Sequence, residues 1–287
     1  MRGVRWTRRG ADIDNVTRST LALLAAPAVV LLVLFFALPV AGVAVDAFSD
    51  GLGAFVRVVT MPTFWPSLLG STVLTLVAST LSLAVGVAVA LHLSRIDERR
   101  RTLLAFVIAL PLTFSGLIVA YGFILTYGRA GLVTQLLALL GADAAVIGKA
   151  LFTPTGLAFA SSYYLIPRVV MGVLPVFVNF DRAQLDVAQS LGATPAQAFR
   201  QVMLPQLAAP IVAAGCLIAA VVFGAYGTAL ALVGTRLEIL PLQLYSLISE
   251  TGSDFPAAAA LALLITAACS TIMTVGAWVG ARHERHL

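Results

Sequence analysis

The sequence predicts an all-α, polytopic membrane protein with six membrane-crossing helices and a structured loop between the fourth and fifth. Three observations carry that prediction. Sixty per cent of the residues are hydrophobic while 11% are charged. Mean hydropathy is +0.99. Six apolar segments each reach the roughly 20 residues that a bilayer core about 30 Å thick demands of a helix.

The first segment, residues 20–45, exceeds the roughly 7–15-residue apolar run of a cleavable signal peptide and ends without a small-x-small cleavage site. It reads as a retained helix, followed by a glycine-rich connection at 49–66. The second segment, 67–93, repeats small residues at spacing four (Ser82, Gly86, Ala90), which lets helix backbones approach closely. Gly276 and Gly280 in the sixth segment, 256–281, and Gly224, Gly227 and Thr228 in the fifth, 206–232, read the same way. The third and fourth segments, 103–127 and 154–178, are interrupted by Pro111, Pro167 and Pro175; such breaks are tolerated beside neighbouring helices or a wet cavity. Two shorter apolar patterns, 131–140 and 237–249, predict helices outside the crossings. Residues 1–66 form a tail, first helix and connection; 67–281 form a five-helix core with its loop at 181–205; 282–287 form a second tail.

Basic residues set the orientation. Thirteen fall in the N-terminal tail (Arg2, Arg5, Arg8, Arg9, Arg18), the loop after the second segment (Arg95, Arg99, Arg100, Arg101), the 181–205 loop (Arg182, Arg200) and the C-terminus (Arg282, Arg285). Four fall on the other side: Arg57, Arg129, Lys149 and Arg236. Both termini and the 181–205 loop are therefore expected in the cytoplasm. The excess of positive charge reads as this asymmetry against anionic lipid and gives no support to nucleic-acid binding. Cys216 and Cys269 each sit in an apolar segment and read as separate buried thiols.

The 181–205 loop is polar and patterned for helices. Asp181 and Gln184 have capping-box spacing, Leu185, Ala188 and Leu191 form an apolar face, and Gly192 is a natural stop. Thr194, Pro195 and Gln197 start a second helix, with Phe199, Val202 and Met203 on one side before Pro205. The residues Asp186-Val187-Ala188, Gly192, Val202, Leu204 and Pro205 resemble, at complete spacing, the Glu-Ala-Ala-x3-Gly-x9-Ile-x-Leu-Pro signature of the inner-membrane permease subunits of binding-protein-dependent ABC importers. Asp stands where that family has Glu, and Val187 where it has a small alanine.

The resemblance implies that Asp186, Ala188, Gly192, Ala193, Phe199, Val202, Leu204 and Pro205 belong to coupling helices seated in a cytoplasmic ATPase subunit. It further implies two permease subunits, identical or paralogous, a dimer of ATP-binding subunits carrying ATP and Mg, and a periplasmic solute-binding protein. This chain itself would hold no cofactor. The stretch 127–132 (Tyr-Gly-Arg-Ala-Gly-Leu) looks most like the polyamine, phosphonate, sulfate or molybdate, and iron(III) branches.

Intrinsic catalysis finds no support. The one lysine, Lys149, follows Gly148, yet no phosphate-binding glycine loop surrounds it. The three histidines, His92, His283 and His286, sit at a span end or in a tail. Chemistry inside the bilayer rests on Arg168, the ionisable residue lying well within a span, with Ser161, Ser162, Tyr163 and Tyr164 beside it. Arg168 either lines a translocation path and attracts an anion, pairs with carbonyls at Pro167, or snorkels to the interface. Tyr121, Thr126 and Tyr226 are further lining candidates. The rival reading is a secondary transporter or channel without an ATPase. Such proteins mark their path with acidic or histidine relays or inverted repeats, which this sequence does not display.

Overall fold

The computed structural model describes residues 18–234, 237–249 and 254–284. Helix follows helix, with no strand among the described residues. In chain order they are α1 (Arg18–Leu32), α2 (Leu38–Ala47), α3 (Gly53–Thr60), α4 (Phe64–Leu93), α5 (Glu98–Ala109), α6 (Gly116–Tyr127), α7 (Leu132–Leu139), α8 (Ala144–Ala150), α9 (Pro154–Asn179), α10 (Ala183–Ser190), α11 (Pro195–Ala198), α12 (Leu204–Phe223), α13 (Gly227–Val233), α14 (Leu240–Ser249) and α15 (Phe255–Glu284). Six stretches are long and apolar enough to cross a membrane, and the protein is a multi-pass membrane protein.

Two wide turns of π-helix, Val33–Ala37 and Phe199–Met203, join α1 to α2 and α11 to α12. Each ends two residues before a proline, Pro39 or Pro205. A proline has no N–H, and its ring collides with the carbonyl four residues back. The wider turn relieves both: the Leu38 N–H donates to Val33 O, and the Leu204 N–H to Phe199 O. From residue 25 to residue 43 the rod formed by α1 and α2 is apolar and exposed, with Phe35 at 72%. It meets the bundle chiefly where α2 lies along α15. Lipid is the solvent such a surface suits.

The core is built around α4 and α9, which pack more extensively than any other pair, with α12 against both. Among lipid tails, close backbone approach and dispersion hold helices together, because apolar burial gains little there. The small residues of α4 supply that approach. A Cβ on Gly86 would stand 2.7 Å from Val169 Cβ, and Ser82 Oγ lies 3.3 Å from Ser162 Oγ across the same seam. On the far side, a Cβ on Gly276 of α15 would stand 2.6 Å from Cys216 Cβ of α12. Both cysteines are free thiols, and Cys269 donates to Ala220 O. At the end of the bundle opposite the 181–205 loop, Arg57 binds Asp50 at 2.5 Å and Asp254 at 3.1 Å, tying α3 to the start of α15. Those two carboxylates raise the Arg57 guanidinium above its usual pKa.

One interruption expected from the sequence is present, and three expectations are corrected. The interruption expected at Pro111 is present: α5 ends in a tight turn at 110–113, Phe114 is extended, and α6 restarts with Ser115 as its N-cap. Hydropathy alone joins α6 to α7 as one stretch, Gly116–Leu139. However, α7 folds back onto α6, its Thr134 Oγ1 donating to Tyr127 O, while α5, the 110–113 turn and α6 all lie along α9. The crossing therefore runs through α5 and α6. The fifth segment breaks at 224–226, between α12 and α13, so Gly224 and Gly227 mark an interruption as well as a packing face. Conversely, Pro167 and Pro175 leave α9 unbroken over 26 residues. Gly280 packs against nothing, since a Cβ there would meet open space. The helices expected at 131–140 and 237–249 are α7 and α14. Arg2, Arg5, Arg8, Arg9, Arg236, Arg285 and His286 lie outside the described residues.

Candidate functional site

The 181–205 loop folds into two short helices set by local chemistry. α10 ends in a closed reverse turn in which the Ala193 N–H donates to Ala188 O at 3.1 Å and the Gly192 N–H to Gln189 O at 2.9 Å. This double closure is the Schellman arrangement, and it places the residue between cap and exit in left-handed backbone. That residue is Gly192, at φ +96°. The alanine-x3-glycine spacing is thus the spacing of a helix end: Ala188 supplies the carbonyl, and Gly192 the turn. Thr194 then caps α11 in a complete capping box: the Thr194 Oγ1 accepts from the Gln197 N–H, and Gln197 Oε1 accepts from the Thr194 N–H at 2.8 Å. Pro195 sits at the first helical position.

The first expected box does not form. Asp181 Oδ1 accepts from the Ala183 N–H, but Gln184 Oε1 turns away to accept from Gln206 Nε2 at 2.7 Å. A partner 22 residues on outcompetes the local one, and it fastens the loop to α12. Arg182 fastens it to α4 by donating to Ser94 O at 3.0 Å. The apolar residues divide accordingly. Ala198 and Met203 are buried, Leu185 and Phe199 pack against the main core, and Ala188, Ala193 and Val202 are half-buried. Leu191, read from the sequence as part of one apolar face with Leu185 and Ala188, is 85% exposed, because it is the cap residue just before the turn. Val187 is exposed beside it, as are Leu204 and Pro205. The Asp186 side chain is also exposed and has no partner among the described residues. The loop therefore offers a carboxylate and two bare apolar side chains on a rigid, doubly anchored bend.

The second site is a cavity of about 370 Å³ at the breaks of the third and fifth spans. Arg168, Tyr164 and Tyr226, all named from the sequence, line it together with Ser115, Gly116 and Thr228. Arg168 is half-buried, about 21 Å along α9 from its first residue at 1.5 Å per residue. Its guanidinium has no ion pair or hydrogen bond to any described residue. Pairing with carbonyls at Pro167 is thereby set aside. A Cβ on Gly116 would overlap Thr228 Oγ1, so α6 and α13 abut at the cavity floor.

Four sequence candidates fall elsewhere. Ser161 and Ser162 are buried, and Ser162 donates to Ala158 O while meeting Ser82 at the α4–α9 seam. Tyr121 is 56% exposed on the outer face and Thr126 lines a separate groove. Phe123, Tyr127, Phe159 and Tyr163 form an aromatic cluster beside that groove, with Phe123 stacked on Tyr127 and the other contacts edge-to-face. In the stretch 127–132, the glycines are structural: a Cβ on Gly131 would stand 2.6 Å from the Thr126 carbonyl. Sequence reasoning missed Ser115, Gly116 and the role of Thr228 in the cavity; a serine cap followed by glycine just after Pro111 was the available signal. No cluster of His, Cys, Asp or Glu suited to a metal occurs among the described residues.

Comparisons with known proteins agree with this architecture. Residues 82–287 match the family described as binding-protein-dependent transport system inner membrane component. Sulfate permease 2, chloroplastic, of Chlamydomonas reinhardtii is 29% identical over 257 residues, covering 88% of this chain and 67% of that protein. The spermidine/putrescine transport system permease protein PotB of Escherichia coli (strain K12) is 30% identical over 157 residues, 55% of this chain and 56% of that one. The match thus spans about half the length of the polyamine permease. The sulfate transport system permease protein CysW of Synechocystis sp. is 29% identical over 248 residues, 84% of this chain and 87% of that protein. Among solved structures, a chain of a bacterial alginate ABC transporter, determined with an alginate pentasaccharide-bound periplasmic protein, superposes with TM-score 0.70 at 19% identity. The superposition covers 89% of this chain and 92% of that one, and it shows a shared fold.

Proposed function

This chain belongs to the family of binding-protein-dependent transport system inner membrane components, and we propose that it is the membrane-spanning permease subunit of an ATP-driven importer. The observation that carries the reading is the 181–205 bend. A polar, doubly anchored helix pair that holds Val187 and Leu191 bare outside the long helices has a physical reason to exist if another protein covers it. On this reading a dimer of cytoplasmic ATP-binding subunits receives the bend, and ATP and Mg are bound there. This chain is no enzyme and holds no cofactor. A second permease, identical or paralogous, completes the path, and a periplasmic solute-binding protein supplies a small polar or charged solute.

Both termini and the bend face the cytoplasm in this reading, as the basic residues at 95–101 and Arg182 favour; Arg182 bonded to Ser94 brings those loops to one end. The membrane is the bacterial inner membrane.

Mechanically, closing the ATPase dimer on ATP draws the two bends together. The π-turn at Phe199–Met203 continues the chain from α11 into α12 without a flexible joint, so a displacement of the bend is passed to the fifth span. The test is ATP-dependent uptake in vesicles carrying the complete transporter. Gly192→Val should abolish uptake while membrane insertion is retained, through backbone strain at φ +96°. A Cβ there meets no atom within 4 Å, so the left-handed backbone rather than a Cβ clash is the constraint that a side chain meets at this position. Uptake at the wild-type rate would refute the assignment of the bend as the drive point.

A further inference from the structure

We propose that the cavity at the breaks of the third and fifth spans binds a small tetrahedral oxyanion of the sulfate or phosphate class, and that the imported solute is such an anion. The inference deepens the importer reading and rests on it. It begins with charge. Arg168 stands near mid-span with no acidic partner among the described residues. An uncompensated cation at that depth is expensive. No carboxylate lines the cavity, so nothing in its described walls balances the guanidinium.

The remaining walls are rich in groups that can donate. Tyr164, Tyr226, Ser115 and Thr228 contribute hydroxyls, and the cavity is walled by the first turn of the 12-residue α6 at Ser115, Gly116 and Leu117. Helix starts leave backbone N–H groups without intrahelical acceptors, and they carry the positive end of the helix dipole. A forked guanidinium, hydroxyls and a helix start converging on one space match the chemistry of an oxyanion. The volume of about 370 Å³ holds roughly a dozen water volumes, room for such an ion with part of its hydration shell. A polyamine would need carboxylates or a cation-binding aromatic cage at this place, and Arg168 would repel it. The two kinds of relative, sulfate and polyamine permeases, match this chain at nearly equal identity, so the cavity's charge is what separates them.

The experiment is equilibrium binding of radiolabelled sulfate to the detergent-extracted transporter complex, reconstituted in nanodiscs of zwitterionic lipid, with phosphate, chloride and spermidine as competitors. Saturable sulfate binding, displaced by phosphate and not by spermidine, is expected. Arg168→Gln should weaken it about tenfold or more, as loss of a charge-assisted hydrogen bond predicts. Arg168→Lys should weaken it less, and Tyr226→Phe a few-fold. Unchanged binding in both Arg168→Gln and Tyr226→Phe overturns the site. So does displacement by chloride at equal concentration, which would make Arg168 a general counter-ion site. Spermidine binding that tightens in Arg168→Gln overturns the solute class. Repeating the titration with anionic lipid distinguishes a headgroup: loss of sulfate binding there overturns the solute reading. The ATPase is quantified in each preparation. ATPase present without sulfate binding sinks the anion assignment alone, whereas ATPase absent from the wild-type complex sinks the importer reading.

Discussion

Substituting Gly116 by alanine perturbs the molecule at the junction of its two helix breaks. The added Cβ would overlap Thr228 Oγ1, while the next nearest atoms, Thr228 Cβ and N, stand at 3.7 Å, an ordinary contact distance. The collision is therefore with one atom. Overpacking of this kind costs about 1–3 kcal/mol, because rigid neighbours yield only partly. Thr228 is 2% exposed and its helix is held against α6, so little room exists for escape. In a chain of 287 residues the cost corresponds to a fall of roughly 2–5 °C in apparent melting temperature. Removing Oγ1 should relieve it: the double variant Gly116→Ala with Thr228→Ala should recover most of the loss, giving a coupling of about 1–2 kcal/mol. The assay is thermal unfolding of purified protein in one detergent at a fixed scan rate, run on wild type, both single variants and the double. A Gly116→Ala protein as stable as wild type, or a double variant no better than Gly116→Ala, would refute the reasoning that α6 and α13 abut at this atom.

The other perturbations act at the two ends of the bundle. Thr194→Ala removes half of the capping box and should weaken α11 by about 1 kcal/mol, seen as faster proteolysis within 182–204 with no change in global melting. Equal proteolysis would mean the box contributes nothing to the bend. Arg57→Gln cuts the tie from α3 to Asp50 and Asp254 and should lower stability modestly. Because those carboxylates raise the Arg57 pKa, the charge is fully present below its ordinary range and lost only in strongly alkaline solution. The stability gap between wild type and Arg57→Gln should accordingly stay constant from about pH 6 to pH 9; a gap that closes across that window contradicts the sign.

Much of the fold was legible because lipid imposes length and hydropathy on every crossing helix. The bend was legible for a different reason. Its turns are closed by residues within five positions of each other, so Ala188, Gly192, Thr194 and Gln197 could be assigned from spacing alone. Gln184 could not, because the partner that takes its side chain, Gln206, is 22 residues away. The break at 110–115 was announced by Pro111, whereas the glycines of the break at 224–226 also suit helix packing, and sequence offers no way to choose between those two roles. Pro167 and Pro175 show the converse: prolines that look like interruptions sit inside a helix held on both sides by α4 and α12. The cavity was half legible. Arg168, Tyr164 and Tyr226 stood out as polar groups in apolar runs, whereas their meeting with Ser115 and Thr228 depends on how four separate segments pack.

The central claim is that the 181–205 bend is where the energy-supplying subunit docks. Leu191 tests it most directly, since it is 85% exposed at the tip and its side chain contributes nothing to the core of this chain. A photo-crosslinking amino acid placed at position 191 should, in intact membranes, yield a covalent adduct with an ATP-hydrolysing subunit. The same probe at Leu125, 75% exposed on α6, should not. Adducts from Leu125 with none from Leu191, in membranes that import the solute normally, would contradict the account.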